Sequence, residues 1–141
     1  MPCMRTQSRA SARRQLDKQL EPMRRSGRLM ARPPAGWVRA IRNAIGMTAA
    51  QLGNRLGVSQ QRALVIEKSE LVGSVTLASL ARAAEALDCR LVYAIVPRVS
   101  LEKLVEDRAA RLARGRSGAE IDERLVRHLV AHSGSKLWND A

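Results

Sequence analysis

Two helix starts and one helix stop fall between Thr48 and Ser59, and this punctuation constrains the fold more than any other feature of the chain. Thr48 with Gln51 three residues on is a capping box: the threonine hydroxyl takes one orphan amide and the glutamine side chain returns to the cap amide. A helix through Leu52 and Leu56 stops at Gly57, the residue type that tolerates the left-handed conformation after a helix end. Only Val58 then intervenes before Ser59, a new N-cap, and a further helix runs from Gln60 to about Ser69. Val58 can plug the angle between the two.

That spacing is too tight for an antiparallel hairpin. The helices must cross steeply, and the later one projects its N-terminal end outward. This is the helix-turn-helix pattern, whose second helix fits the DNA major groove. An earlier helix from Trp37 places Val38, Ile41 and Ile45 on one face with Arg42 and stops at Gly46. After Leu71-Val72-Gly73-Ser74, Thr76 caps another, with Leu77, Leu80, Ala81, Ala84 and Leu87 as its expected buried face. Hydrophobic residues make up 45% of the chain, aromatics only 2%, and Phe is absent. The core must therefore be aliphatic, which favours small packed helices. The expected fold is mainly α: a helix-turn-helix bundle over 36–89, preceded by a basic N-terminal helical arm and Pro-rich linker (1–35) and followed by one short β-strand (90–99) and C-terminal helices (100–141).

On the helix after Ser59, Ala63, Ile66 and Glu67 would point inward. Gln61, Leu64, Val65 and Lys68 form the opposite stripe, with Gln60 at its leading end. Glutamine can donate and accept at once to the N6/N7 edge of adenine. Leucine and valine can only meet thymine methyls or pack on something else. The amides at the helix starts near Thr48 and Ser59 can hold phosphates. The candidate DNA contacts are therefore Thr48, Gln51, Ser59, Gln60, Gln61, Arg62, Leu64, Val65 and Lys68. Glu67 and Arg42 both fall at core positions, and a buried charge is rare unless paired. They are expected to pair as a structural ion pair; the alternative is that both are exposed.

The chain carries 25 Lys plus Arg against 13 Asp plus Glu, a formal charge of +12. Such a surplus calls for an anionic partner: nucleic acid, an acidic protein surface or, least, anionic lipid. With the helix-turn-helix pattern the expected partner is double-stranded DNA; the alternative is a protein-interaction module that restrains a toxin or enzyme and binds DNA only weakly or non-specifically. Residues 1–35 hold nine basic residues against two acidic, a net +7. There Ala12, Leu16, Leu20 and Met23 make a helical stripe that Pro22 would end or bend. The segment reads equally as an arm that reaches phosphates and as a solvated tail.

Residues 90–97 are β-branched, apolar and ended by Pro97, and read as a strand. A lone strand cannot satisfy its ladder. Its simplest partner is the same segment of a second copy, through Leu91, Val92, Tyr93, Ala94, Ile95 and Val96. That gives a homodimer suited to half-sites roughly 34 Å apart; the alternative is packing on its own bundle. Farther on, Ser100 caps a helix bearing Leu101, Leu104, Val105 and Leu112, broken at Arg114-Gly115-Arg116-Ser117-Gly118. A last helix over Ala119–Ala131 carries Ile121, Leu125 and Leu129. These two helices read as structural support or as a docking surface for a partner.

Several function classes are set aside. No apolar run approaches the roughly 18 residues a membrane span needs, and no apolar segment follows the basic N-terminus as in a secretory signal. Cys3 and Cys89 make no disulfide framework, and Cys89, between Leu87 and Leu91, reads as a buried thiol. Cytoplasmic location is expected. His128 and His132 lie four apart without a third ligand nearby, so no metal is expected. With no phosphate loop and no Gly-x-Ser-x-Gly, neither an enzyme nor a cofactor is expected.

Gly46-Met47-Thr48-Ala49-Ala50-Gln51-Leu52-Gly53, Leu56-Gly57-Val58-Ser59-Gln60-Gln61 and Glu67 resemble the XRE/Cro-type helix-turn-helix repressors. Arg42 and Glu67 match that family's interhelical ion pair. Residues 33–42, 86–97 and Lys136-Leu137-Trp138 are similar to the family called mobile mystery protein A. That resemblance implies a repressor-like, antitoxin-like protein paired with a Fic-domain protein. The chain departs from the repressor pattern at Ala49, where Gln is usual, and at Ala63-Leu64, where Val-Ser is usual. It carries no Ser/Thr-x-x-x-Glu-Gly/Asn motif, by which one class of Fic antitoxins obstructs ATP.

Overall fold

The computed structural model describes residues 4–27, 30–117, 122–132 and 134–139. Its elements are α1 (Met4–Arg25), α2 (Trp37–Ala44), α3 (Ala49–Leu56), α4 (Gln60–Val72), α5 (Leu77–Ala86), α6 (Leu101–Ser117) and α7 (Glu123–His132), then a 3-10 helix, Gly134–Trp138. They sort into two units. Met30–Ala94 forms one; Met1–Leu29 together with Ile95–Ala141 forms the other. The basic N-terminal segment thus packs with the C-terminal helices.

In the unit of α2 to α5, the core is Val38, Leu52, Ala63, Ala83 and Leu87, with Ile41, Met47, Leu56, Ile66 and Leu80 packed against it. Two expected faces shift. Ile45 is exposed because α2 stops at Ala44. Leu77 is exposed because the buried stripe of α5 centres on Ala83, from which Leu77 lies about 120° around the helix axis at 3.6 residues per turn. α4 also runs three residues past Ser69, to Val72, and ends on left-handed Gly73.

The extra turn of α4 has a purpose. Gly36 gives α2 no side-chain cap. The Trp37 and Val38 amides instead donate to the carboxylate of Glu70, at 2.5 and 3.0 Å. Gly36 sits at φ +83°, and a Cβ there would stand 2.7 Å from Glu70 Oε2. Arg32 donates to the Glu70 and Leu71 carbonyls near the end of α4. A carboxylate against two orphan amides at a helix N-terminus is favoured by charge-assisted bonding and by the helix dipole.

The strand expected over 90–99 does not form; among the described residues there is no strand. Residues 89–97 are irregular, and Val92, Tyr93, Ile95 and Val96 are exposed. An extended segment gains its ladder bonds only from a neighbour, and a single chain offers none. Cys89, expected buried, is exposed. Asp88 adopts a left-handed φ of 55° and turns the chain outward, and the Cys89 thiol donates to the Leu87 carbonyl.

In the other unit, α1 continues one turn past Pro22. The proline forfeits one amide bond, but Ser26 still donates to the Pro22 carbonyl, and Glu21 pairs with Arg24 and Arg25. Asp17 accepts from the Leu101 and Glu102 amides at 2.6 and 3.2 Å, while Ser100 caps the Lys103 amide. Arg13 pairs with Glu102 at 2.9 Å. α6 runs through Gly115 and ends at Ser117, within the stretch Arg114–Gly118 expected to break it. Ala109, Ala113, Leu129 and Leu137 are its core, and the two alanines, four apart, let α7 approach closely. α7 begins at Glu123, and Ile121 lies outside the described residues, as do Gly118 and Cys3.

Candidate nucleic-acid interface

The α3–turn–α4 segment is built by local capping. Thr48 Oγ1 accepts from the Gln51 amide at 3.1 Å, and Gln51 Oε1 accepts from the Thr48 amide at 2.9 Å. The Gln51 side chain is thereby committed to the cap. Gly57 adopts φ 69°, ψ 31° and ends α3. Ser59 Oγ accepts from the Arg62 amide at 3.1 Å and opens α4.

How closely the two helices approach is decided by Gly53. A Cβ there would lie 2.8 Å from the Val58 carbonyl and 3.0 Å from that of Ser59. Both are backbone atoms that cannot swing aside. A glycine in mid-helix is destabilising by roughly 0.5–1 kcal/mol relative to alanine, and here it is the residue that permits the turn.

Behind the turn, Arg42 and Glu67 form a buried pair, 8% and 4% exposed. Nε meets Oε1 at 2.5 Å and Nη2 meets Oε2 at 3.2 Å, while Nη1 donates to the Met47 carbonyl at 2.9 Å. One guanidinium therefore ties α2 to α4 and to the loop that leads into α3. No buried side-chain polar atom is left without a partner among the described residues.

On this scaffold the outward residues of α4 line up. Gln60, Gln61, Arg62, Leu64, Val65 and Lys68 are all exposed. Among the described residues the side chains of Gln60, Gln61, Arg62 and Lys68 have no hydrogen-bond or ion-pair partner. The structure thus brings Gln60, Gln61, Leu64, Val65 and Lys68 onto one exposed side of α4, with Arg62 exposed beyond its edge and Ser59 at the helix start. Thr48 and Gln51 sit at the start of α3. Sequence reasoning missed Glu70, Arg32 and the role of Gly53; only Gly53 left a local signal, as an unexplained glycine within a helix.

His128 and His132, both exposed, stack at 4.4 Å on α7, and the ring of His132 bonds the His128 carbonyl. Among the described residues no three His, Cys, Asp or Glu side chains gather as metal ligands, and no helix is long and apolar enough to cross a membrane.

A protein-family model described as Helix-turn-helix matches residues 38–93. Residues 38–93 are an XRE-type helix-turn-helix domain. The match covers the unit of α2 to α5 and leaves the unit of α1, α6 and α7 outside it. No curated protein and no solved structure matches the chain. A helix-turn-helix domain supports a DNA-binding regulator, a class that is generally not enzymatic.

Proposed function

We propose that the chain is a sequence-specific DNA-binding transcriptional repressor. The observation that carries this reading is the exposed N-terminal part of α4, where Gln60, Gln61 and Arg62 stand unpartnered on a helix anchored through Glu67, Glu70 and Gly53. Gln60 and Gln61 contact base edges, Arg62 and Lys68 contact phosphates or guanine, and the helix starts at Thr48 and Ser59 hold phosphates. The protein acts as a homodimer in the cytoplasm. Supporting the dimer, Leu91 and Val92 line an apolar groove of about 580 Å³ with Trp37, Ile41 and Leu80, and the following Tyr93 and Ile95 are 70% and 89% exposed.

The finer role is that of an autoregulating, antitoxin-like member of a pair with a Fic-domain protein. It rests on the resemblance of residues 33–42, 86–97 and 136–138 to mobile mystery protein A. A second reading, a protein-interaction module with weak DNA binding, is favoured by the exposed Leu64 and Val65.

Fluorescence anisotropy with DNA from the gene's own upstream region and with scrambled DNA, at two salt concentrations, separates the readings. A specific regulator retains a preference of about a thousandfold or more at the higher salt. Equal, salt-collapsing binding to both would defeat it. Co-purification with a co-expressed Fic-domain protein encoded beside the gene tests the pairing; its absence at micromolar concentrations would remove that part.

A further inference from the structure

We propose that the outward face of α4 selects its operator by thymine methyl groups, with Val65 and Leu64 as the reading side chains. This rests on the DNA-binding reading above and specifies what that site recognises.

Gln61, Val65, Lys68 and Val72 recur at i, i+4, i+7 and i+11, so they form one stripe along the helix, with Leu64 on its flank. Val65 is 51% and Leu64 44% exposed, whereas Ala63, Glu67 and Glu70 hold the inward face. Neither belongs to the core of this unit or to the residues packed against it, although Val65 borders a cleft with Leu56, Val58 and Ile66. They stand one turn beyond Gln61, about 5.4 Å along the axis, which is between one and two base steps of roughly 3.4 Å on a DNA strand. A helix whose Gln61 meets an adenine edge therefore presents Val65 and Leu64 to the next one or two base pairs.

The chemistry at those base pairs is selective. Guanine, cytosine and adenine offer only donors and acceptors on their major-groove edges, and thymine alone adds an apolar group, its C5 methyl. An isopropyl or isobutyl group against any other edge displaces water and returns no hydrogen bond. The side chains thus favour thymine and disfavour the alternatives. The occupant of this face is DNA, because Arg62 and Lys68 flank the aliphatic pair as exposed cations, and the chain carries a net +12.

The test removes the methyl and nothing else. The full chain selects binders from a random-sequence duplex library, in parallel pools amplified with thymidine or with deoxyuridine triphosphate. Winning duplexes are then synthesised with thymine or uracil at each position. Each methyl read by the helix is worth about fourfold in affinity, taking it as one buried methyl-sized group. Thymine-pool winners should carry thymines within two base pairs of the position sensitive to Gln61→Ala. Uracil there should weaken binding about fourfold per site, and uracil elsewhere should have no effect. The doubly substituted Leu64→Ala/Val65→Ala chain, altered only at exposed positions and checked for unchanged thermal melting, should bind thymine and uracil duplexes alike. Selected duplexes that bind equally with uracil would overturn the inference and leave sequence-specific binding standing. No enrichment in either pool would overturn both, and would mark this face as a protein-docking surface.

Discussion

Removing Arg42 should cost the α2–α5 unit about 3–5 kcal/mol, the usual penalty for breaking a buried ion pair from one side. Arg42→Ala deletes both bonds to Glu67 and the bond to the Met47 carbonyl. Glu67, 4% exposed, is then a carboxylate with neither water nor a donor. A unit of this size, Met30–Ala94, has a total stability of roughly 3–10 kcal/mol by the usual per-residue range. The substitution therefore removes a large part of it. The matched change Arg42→Met with Glu67→Leu should behave differently, because replacing both charges by apolar groups is often neutral or stabilising by about 1–4 kcal/mol. Urea unfolding read by Trp37 fluorescence, with Trp138 replaced by phenylalanine to silence the other unit, gives each ΔG, and the parent chain, Arg42→Met, Glu67→Leu and their double variant close a double-mutant cycle. A loss under about 1 kcal/mol for Arg42→Ala, or a double variant as unstable as the single, would refute the assignment of this pair as the tie between α2 and α4.

Three further changes probe other joints. Gly53→Ala should destabilise the same unit by about 1–3 kcal/mol despite the better helix propensity of alanine, since its Cβ meets the Val58 carbonyl at 2.8 Å; a stabilised variant in the same urea assay would refute the close approach. Glu70→Ala removes two charge-assisted bonds to the start of α2 and should cost about 2–4 kcal/mol, with hydrogen exchange at the Trp37 and Val38 amides rising first. Arg14→Gln with Lys18→Gln, two exposed α1 positions one turn apart, should lower the salt slope of DNA binding by about 1–2 and leave the sequence preference unchanged; an unchanged slope would show that α1 makes no phosphate contact.

What could be read in advance was whatever the chain writes locally. The caps at Thr48, Ser59, Thr76 and Ser100, and the stop at Gly57, each depend on residues within four positions of one another, and each is present. The outward face of α4 followed from helical period alone. The failures were of two kinds. Residues 90–97 have the composition of a strand, but a strand is a property of two segments, and composition describes one. The other kind is Pro22, a local breaker that does not end α1, because contacts along the helix outweigh a propensity cost of about 3 kcal/mol; α6 passes Gly115 but stops at Ser117, inside the expected Arg114–Gly118 break.

Two of the contacts that period and propensity could not reveal share one logic. Glu70 caps α2 from 33 residues away, and Asp17 caps α6 from 84 residues away. In each case a carboxylate within one helix supplies the acceptor that two amides at another helix's start require. At Gly36 there is no side chain to do so locally, and a side chain would collide with the one that does. Substituting Gly36 and substituting Glu70 should therefore damage the same joint, by crowding and by loss of the acceptor. A long-range cap of this kind couples helix formation to docking: α2 has its first amides satisfied only when α4 lies against it. Helix α4 is thus held from behind by two carboxylates, Glu67 on Arg42 and Glu70 on the amides of α2. Its outward face carries none of these joints, so substitutions at Leu64 and Val65 that test recognition leave both carboxylate ties in place.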